Sequence, residues 1–177
     1  MLPILQLIVD TAASVLGAVL LLRFWMQAIR VRPPASVAQF TFTLSDWLVK
    51  PLRRVVPGAG GYDWASLLGA FLVVLLATCI YLLVGASGQE VFLLALARFV
   101  KWIIYGFVAL LIIEAIFSWV NPHAPLAPFV HALNDPLLRP IRRVVPPIGG
   151  LDLSVLVAVL LLQIALYVLR MLIPGPY

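Results

Sequence analysis

The chain has 177 residues, of which 64% are hydrophobic and only 11% are charged, and its formal net charge is +5. Its mean hydropathy of +1.12 lies outside the range of soluble globular domains. These values argue against a soluble enzyme and against a nucleic-acid-binding fold. They predict an all-α membrane protein whose positive charge faces anionic lipid. One cysteine and two histidines are too few ligands for a classical structural zinc site, so we expect no metal and no cofactor.

Four apolar segments are each long enough to cross a bilayer, for which roughly 20 helical residues suffice. We predict membrane-spanning helices at about Leu2–Leu22, Trp64–Val84, Arg98–Trp119 and Leu153–Leu169. The first segment has no cluster of positive charge before its apolar run, so we interpret it as a retained span and not as a cleaved signal peptide.

The connectors after the first and third segments contain the same phrase twice. Residues 50–63 read KPLRRVVPGAGGYD and residues 139–152 read RPIRRVVPPIGGLD. A constant offset of eighty-nine residues places the first arginine pair on the second and the first aspartate on the second. This duplication predicts a single membrane domain, residues 1–177, built from repeat 1 (1–88) and repeat 2 (89–177).

The cations of the short loops predict the orientation of the chain. One side of the membrane would carry Arg30, Arg32, Lys50, Arg53, Arg54, Arg139, Arg142 and Arg143, and the other only Arg98, Lys101 and Arg170. The positive-inside rule therefore predicts cytoplasmic motifs and outside termini. Because each repeat contains two spans, the two copies would be parallel repeats related by an axis along the membrane normal.

Each copy of the phrase is predicted to form a short amphipathic helix in the membrane interface. The apolar faces comprise Leu48, Val49, Leu52, Val55 and Val56 in the first copy and Leu137, Leu138, Ile141, Val144 and Val145 in the second. The opposite faces carry Lys50, Arg53, Arg54, Arg139, Arg142 and Arg143, which are candidate residues for binding lipid or a partner protein. Alternatively, these six cations only set the topology.

The last part of each phrase predicts a tight reversal followed by a helix. Gly60–Gly61 and Gly149–Gly150 permit positive φ, and Asp63 and Asp152 stand directly before an apolar run, where a carboxylate caps a helix. The adjacent arginines would form either an anion pocket or a latch to the aspartate. An aspartate in the mouth of the pocket argues against a tightly bound phosphate and favours the latch.

Charges inside the spans predict two ion pairs between the repeats. At an offset of ninety-one residues, Asp10 falls on Lys101 and Arg23 on Glu114, opposite charges in both cases. Lone charges within a bilayer are costly, so we predict that the first and third spans pack together through these two pairs. The alternatives are that each group reaches its own interface, or that Glu114 pairs with a connector arginine.

The second phrase resembles a known family. FSWVNPHAP at 117–125, followed by DPLLRPIRRVVPPIGGLDLS at 135–154, is similar to the YggT family of small bacterial integral membrane proteins, which has plastid relatives. The first copy departs from this pattern, with Trp47 at the position of Pro136. The resemblance implies a cytoplasmic-membrane protein without an established activity, linked to osmotic or ion homeostasis and to cell division or membrane-complex assembly. It brings no catalytic residues.

Three classes of function remain at this stage. An enzyme is disfavoured because no nucleophile–base constellation or phosphate loop is visible, and we read His123 and His131 as solvated or packing residues. A channel or transporter would rest on Asp10, Glu114 and Gln163 and would need an oligomer. We favour a non-enzymatic membrane organiser that contacts anionic lipid or an unidentified membrane or cytoplasmic protein, with a homo-oligomer as a further option.

Overall fold

The computed structural model describes residues 2–145 and 152–173. In these ranges the chain is helical, and its extended pairing is limited to an isolated bridge between Ala59 and Tyr62. The helices are α1 (Leu2–Ala28), α2 (Ala35–Val55), α3 (Trp64–Thr78, continued by a 3-10 turn over Cys79–Val84), α4 (Gly88–Val120), α5 (Ala127–Arg142) and α6 (Leu153–Leu172).

Four of these helices are long and apolar enough to cross a membrane. They cover Ile4–Ala28, Trp64–Leu83, Gly88–Val120 and Leu153–Leu172. The predicted all-α membrane protein with four spans is therefore confirmed. The helix that contains the third span, α4, begins at Gly88, where Ser87 and Glu90 form a capping box. The start of its membrane-crossing part near Arg98 stays a prediction.

The two connector helices are longer than predicted, and both begin before the repeated phrase. Their apolar faces pack in part against the spans. Val49 of α2 is buried with Leu20 of α1, and Leu138 of α5 is buried with Leu111 of α4. The order α1–α2–α3 thus recurs as α4–α5–α6 with corresponding core residues. The parallel relation of the repeats and the interfacial position of α2 and α5 stay predictions.

The helices α1 and α4 are in direct contact across the boundary of the two repeats. Gly17 of α1 lies against the ring of Trp102, so closely that a Cβ atom would stand 2.1 Å from Trp102 Cζ3. The ring of Trp25 meets Phe107 edge-on at 5.0 Å, and its indole nitrogen donates to the carbonyl oxygen of Leu133 at 2.9 Å. The first and third spans therefore pack against each other through a glycine and through aromatic side chains.

Gly17→Ala should destabilise the protein by roughly 1–3 kcal/mol, because the added methyl group overlaps the Trp102 ring and forces it to move. Thermal unfolding in detergent would measure the loss. Gly106→Ala is the matched control on the opposite spanning helix, since a Cβ there meets nothing within 4 Å. It should be neutral or slightly stabilising through helix propensity. Equal effects of the two changes would contradict the close packing at Gly17.

Candidate functional site

The repeated phrase of repeat 1 supplies Arg53 and Asp63 to a cluster of charged side chains near the end of α1. Arg53 Nη2 lies 2.6 Å from Asp63 Oδ2, and Arg23 Nε lies 3.4 Å from the same oxygen. Arg23 Nη1 also donates to Asp46 Oδ1 at 2.7 Å and to Ser45 Oγ at 2.6 Å. Only 6% of Arg23 and 1% of Asp63 is exposed, so this pairing keeps two charges inside the protein.

Asp63 links the phrase to the start of α3. Its carboxylate accepts hydrogen bonds from the Ser66 backbone at 3.4 Å and from Ser66 Oγ at 2.7 Å, so it is the predicted N-cap. Burial opposes its ionisation, but the hydrogen bonds from Arg53 and Ser66 outweigh burial and lower its pKa. The reversal before it uses Gly60 and Gly61 at φ +67° and +84°. Gly149 and Gly150 lie outside the described residues.

Repeat 2 contains a corresponding cluster. Arg142 Nη2 lies 2.7 Å from Asp152 Oδ2 and 3.2 Å from Glu114 Oε1. His131 Nδ1 lies 2.9 Å from the same glutamate oxygen. Asp152 caps α6 by accepting from the Ser154 backbone at 3.0 Å, and despite partial burial the bonds from Arg142 and Ser154 lower its pKa. The latch geometry is therefore present in both copies.

The spanning helices contribute opposite charges to these clusters. Arg23 reaches the aspartate of its latch, whereas Glu114 reaches the arginine of its latch. The predicted Arg23–Glu114 pair is therefore wrong, because a connector helix of the same repeat already places an opposite charge beside each group. Glu114 follows the alternative of a connector arginine. His131, read as a solvated or packing residue, contacts Glu114.

The second predicted pair is also replaced. The carboxylate of Asp10 pairs with Arg98, one helical turn before the expected Lys101. Arg98 also donates to Thr78 Oγ1 at 3.4 Å, which holds its guanidinium between α1 and α3. The ammonium group of Lys101 lies 5.7 Å from the ring centroid of Tyr105.

The six candidate cations divide into three classes. Arg53 and Arg142, the first arginine of each pair, are held in the latches. Lys50 and Arg139 form i,i+4 pairs with Asp46 and Asp135 at 2.9 and 3.2 Å. Arg54 and Arg143, the second arginine of each pair, are exposed and have no ion pair among the described residues. Sequence reasoning treated all six alike, because identical residues in a row give no signal of their different partners.

An exposed apolar stripe on α2 was missed by sequence reasoning. Phe40, Leu44 and Trp47 are 57%, 37% and 65% exposed, and their spacing places them on one helix face. The same face continues through Pro51 to Arg54, both exposed. Extending the helical pattern upstream of Ser45 would have revealed the stripe.

Repeat 2 also contains a cleft of about 780 Å³ between α4, α5 and α6. Its walls are mainly apolar, and one end is polar, formed by Glu114, His131, Arg142 and Asp152. No cluster of three or more metal-binding side chains is found in the part of the chain that the structure describes. The cleft depends on how far α4 and α6 diverge, which the sequence pattern does not specify.

Comparison with known proteins gives the family. The CCB3/YggT family model matches residues 1–84 and 93–173. This chain belongs to the CCB3/YggT family. The two matched segments are consistent with the two predicted repeats. The uncharacterised protein YggT of Escherichia coli is 34% identical over 168 residues, covering 90% of this chain and 86% of that protein.

Two further relatives match over nearly the same length. An uncharacterised protein of Vibrio alginolyticus, from the region 3′ of proC, is 33% identical over 170 residues, covering 91% of this chain and 90% of the relative. An uncharacterised protein of Pseudomonas aeruginosa is 36% identical over 164 residues, covering 89% and 83%. No solved structure matches the chain. This YggT-family chain is thus a multi-pass membrane protein.

Proposed function

We propose that this YggT-family chain is a non-enzymatic protein of the bacterial cytoplasmic membrane that organises membrane components by holding anionic lipid at the cytoplasmic ends of α2 and α5. One observation carries the proposal. In each arginine pair the first residue, Arg53 or Arg142, is paired with a carboxylate, whereas the second, Arg54 or Arg143, is exposed and free of an ion pair among the described residues.

Electrostatics favours the second arginines as the lipid contacts. A basic side chain near an anionic leaflet contributes about 1 kcal/mol, and a guanidinium forms bidentate hydrogen bonds with phosphate. Arg53 and Arg142 each direct Nε and Nη2 of the guanidinium to carboxylates. The charges of Lys50 and Arg139 are balanced in part by aspartates one turn away. The remaining attraction for phosphate is therefore concentrated at Arg54 and Arg143.

The apolar stripe on α2 supports a position in the interface. Phe40, Leu44 and Trp47 would enter the acyl boundary, and Arg54 at the end of the same face would lie at headgroup level. Tryptophan is enriched at this depth of the membrane. The positive-inside rule places the motifs in the cytoplasm and the termini outside. An unidentified partner protein or a second copy would meet the same exposed face.

The channel alternative loses much of its basis. It rested on charges inside the spans, but Asp10 pairs with Arg98 and Glu114 with Arg142 in the same chain. Neutralised pairs of this kind stabilise a helix bundle and do not require a water-filled path. The organiser therefore remains the better proposal.

Arg54→Gln with Arg143→Gln should strongly reduce the acidic phospholipid that co-purifies with the protein. Each of the two sites loses a contact of about 1 kcal/mol, which corresponds to about fivefold weaker binding per site. Mass spectrometry of lipid extracts, normalised to protein, would measure it. Unfolding temperature should change little, because neither side chain has an ion-pair partner in the described chain.

Arg53→Gln with Arg142→Gln is the matched control, since it removes the same charge one residue earlier in each copy. This variant should lose stability yet keep most of its acidic lipid. Equal lipid loss in the two variants, or none in either, would contradict the proposal. A selective, saturable ion flux through liposomes containing the wild-type protein would instead favour the channel.

A further inference from the structure

The cleft of repeat 2 lies where repeat 1 is filled by aromatic rings. In repeat 1, Phe24 packs against Tyr62 and Trp64, with ring centroids 6.4 and 6.3 Å apart. At the offsets that relate the repeats, Phe24 corresponds to Ala115 and Trp64 to Leu153. Both of these smaller residues line the cleft. Among the described residues, smaller side chains at equivalent positions leave this space, and an apolar ligand would fill it.

The polar end of the cleft contains an unused acceptor. Glu114 is 9% exposed, and its Oε1 receives both His131 and Arg142. Its Oε2 is buried and has no hydrogen-bond partner among the described residues. A buried carboxylate oxygen without a donor is unfavourable, so this end of the cleft fits a ligand that donates hydrogen bonds.

The charges at the polar end of the cleft indicate which sign of charge the ligand carries. Glu114 and Asp152 supply two carboxylates against the single guanidinium of Arg142. The guanidinium is already shared between the two carboxylates. An anionic headgroup would therefore meet a net negative surface, whereas a protonated amine is complementary to it.

The walls of the cleft indicate that the rest of the ligand is apolar. Leu111, Ile112, Val155, Leu156 and Val159 form an apolar surface between two spanning helices. Ligand pockets usually enclose about 300–1,000 Å³ with mainly apolar walls and a few placed polar groups, and this cleft fits that description. In a bilayer the available apolar group is an acyl chain.

We propose that the cleft binds a phospholipid whose headgroup carries a primary ammonium, of the phosphatidylethanolamine class. An acyl chain occupies the space left by Ala115 and Leu153. The ammonium donates to the carboxylate of Glu114, whose buried Oε2 turns towards the cleft to accept it. A quaternary choline headgroup lacks the N–H donors that this oxygen needs. The site is separate from Arg54 and Arg143 and does not depend on the function proposed above.

The test uses the delipidated Arg54→Gln/Arg143→Gln variant, which lacks the proposed anionic-lipid contacts. It titrates this variant in detergent with dioleoyl phosphatidylethanolamine, phosphatidylcholine and phosphatidylglycerol, and counts bound lipid by native mass spectrometry. We expect one saturable phosphatidylethanolamine per chain, bound about tenfold more tightly than the other two lipids, as for one charge-assisted hydrogen bond. Glu114→Gln should reduce this preference towards unity. Ala115→Phe with Leu153→Trp should abolish the adduct by restoring the aromatic filling of repeat 1.

Two further measurements keep the proposal falsifiable. Arg54→Gln with Arg143→Gln should retain the phosphatidylethanolamine adduct, which separates this site from the anionic one. If the filled variant does not fold, brominated phosphatidylethanolamine should give a saturable fluorescence quenching in the wild type that Trp119→Phe removes, because Trp119 lines the cleft. Equal binding of the three lipids to the Arg54→Gln/Arg143→Gln variant, or an adduct that survives filling, would overturn the proposal. A change in subunit number on filling would assign the cleft to a protein contact and overturn it too.

Discussion

Exchanging Arg23 and Glu114 for each other should give a protein less stable than either single reversal. A glutamate at 23 would face Asp46 and Asp63, and an arginine at 114 would face Arg142. Breaking a buried ion pair by removing one partner costs roughly 3–5 kcal/mol, and a like charge in its place costs more. Because the two groups belong to separate clusters, their losses should add.

A double-mutant cycle in detergent-solubilised protein measures this result. The milder changes Arg23→Gln and Glu114→Gln keep the variants within the range where unfolding is measurable. Arg170→Glu is the surface control, exposed near the end of α6, and should change stability by no more than about 0.5 kcal/mol. If the exchanged protein were more stable than the worse single reversal, Arg23 and Glu114 would be partners after all.

Asp63→Ala should destabilise the protein considerably more than Asp152→Ala. Both changes remove an N-cap, worth about 0.5–2 kcal/mol. Asp63 is 1% exposed and its loss also leaves Arg23 and Arg53 without a shared carboxylate, a buried-pair loss of roughly 3–5 kcal/mol. The side chain of Asp152 is 33% exposed, so water screens its loss. Thermal or denaturant unfolding of the two variants in the same detergent compares them.

Acid unfolding provides the control for Asp63. Its folded-state pKa lies below the ordinary value of 3.8, so the stability from its ionised form is fully present above that value and is lost as the pH falls through the lowered pKa. Asp63→Asn keeps an oxygen for the Ser66 backbone but cannot ionise. The variant should therefore lose less stability than the wild type as the pH falls below 3.8. Identical acid profiles would show that Asp63 does not carry this linkage.

The parts of the structure that follow from local pattern were predictable from the sequence. The four spans follow from the length of the apolar runs, and the N-caps follow from an aspartate directly before such a run. The latch was predictable because Arg53–Asp63 and Arg142–Asp152 have the same separation in both copies.

The pairing of the spanning charges was not predictable from the offset between repeats. Matching Arg23 with Glu114 ignored the connector helices, whose fold places Asp46 beside Arg23 and Arg142 beside Glu114. Likewise, the sequence of two adjacent arginines does not indicate which of them contacts the aspartate of the latch. That choice depends on the angle at which α2 and α5 meet the spans, and tertiary packing sets that angle. The cleft depends on the same geometry.

The central claim is that the two arginines of each pair have different roles, and stabilisation by lipid tests it most directly. A ligand that binds only the folded state raises the unfolding temperature, and the rise grows with the logarithm of the ligand concentration above its Kd. With increasing phosphatidylglycerol in detergent, the wild type should gain stability. Arg53→Gln with Arg142→Gln should start lower and gain as much, and Arg54→Gln with Arg143→Gln should start near the wild type and gain almost nothing. A full gain in the Arg54/Arg143 variant would contradict the account.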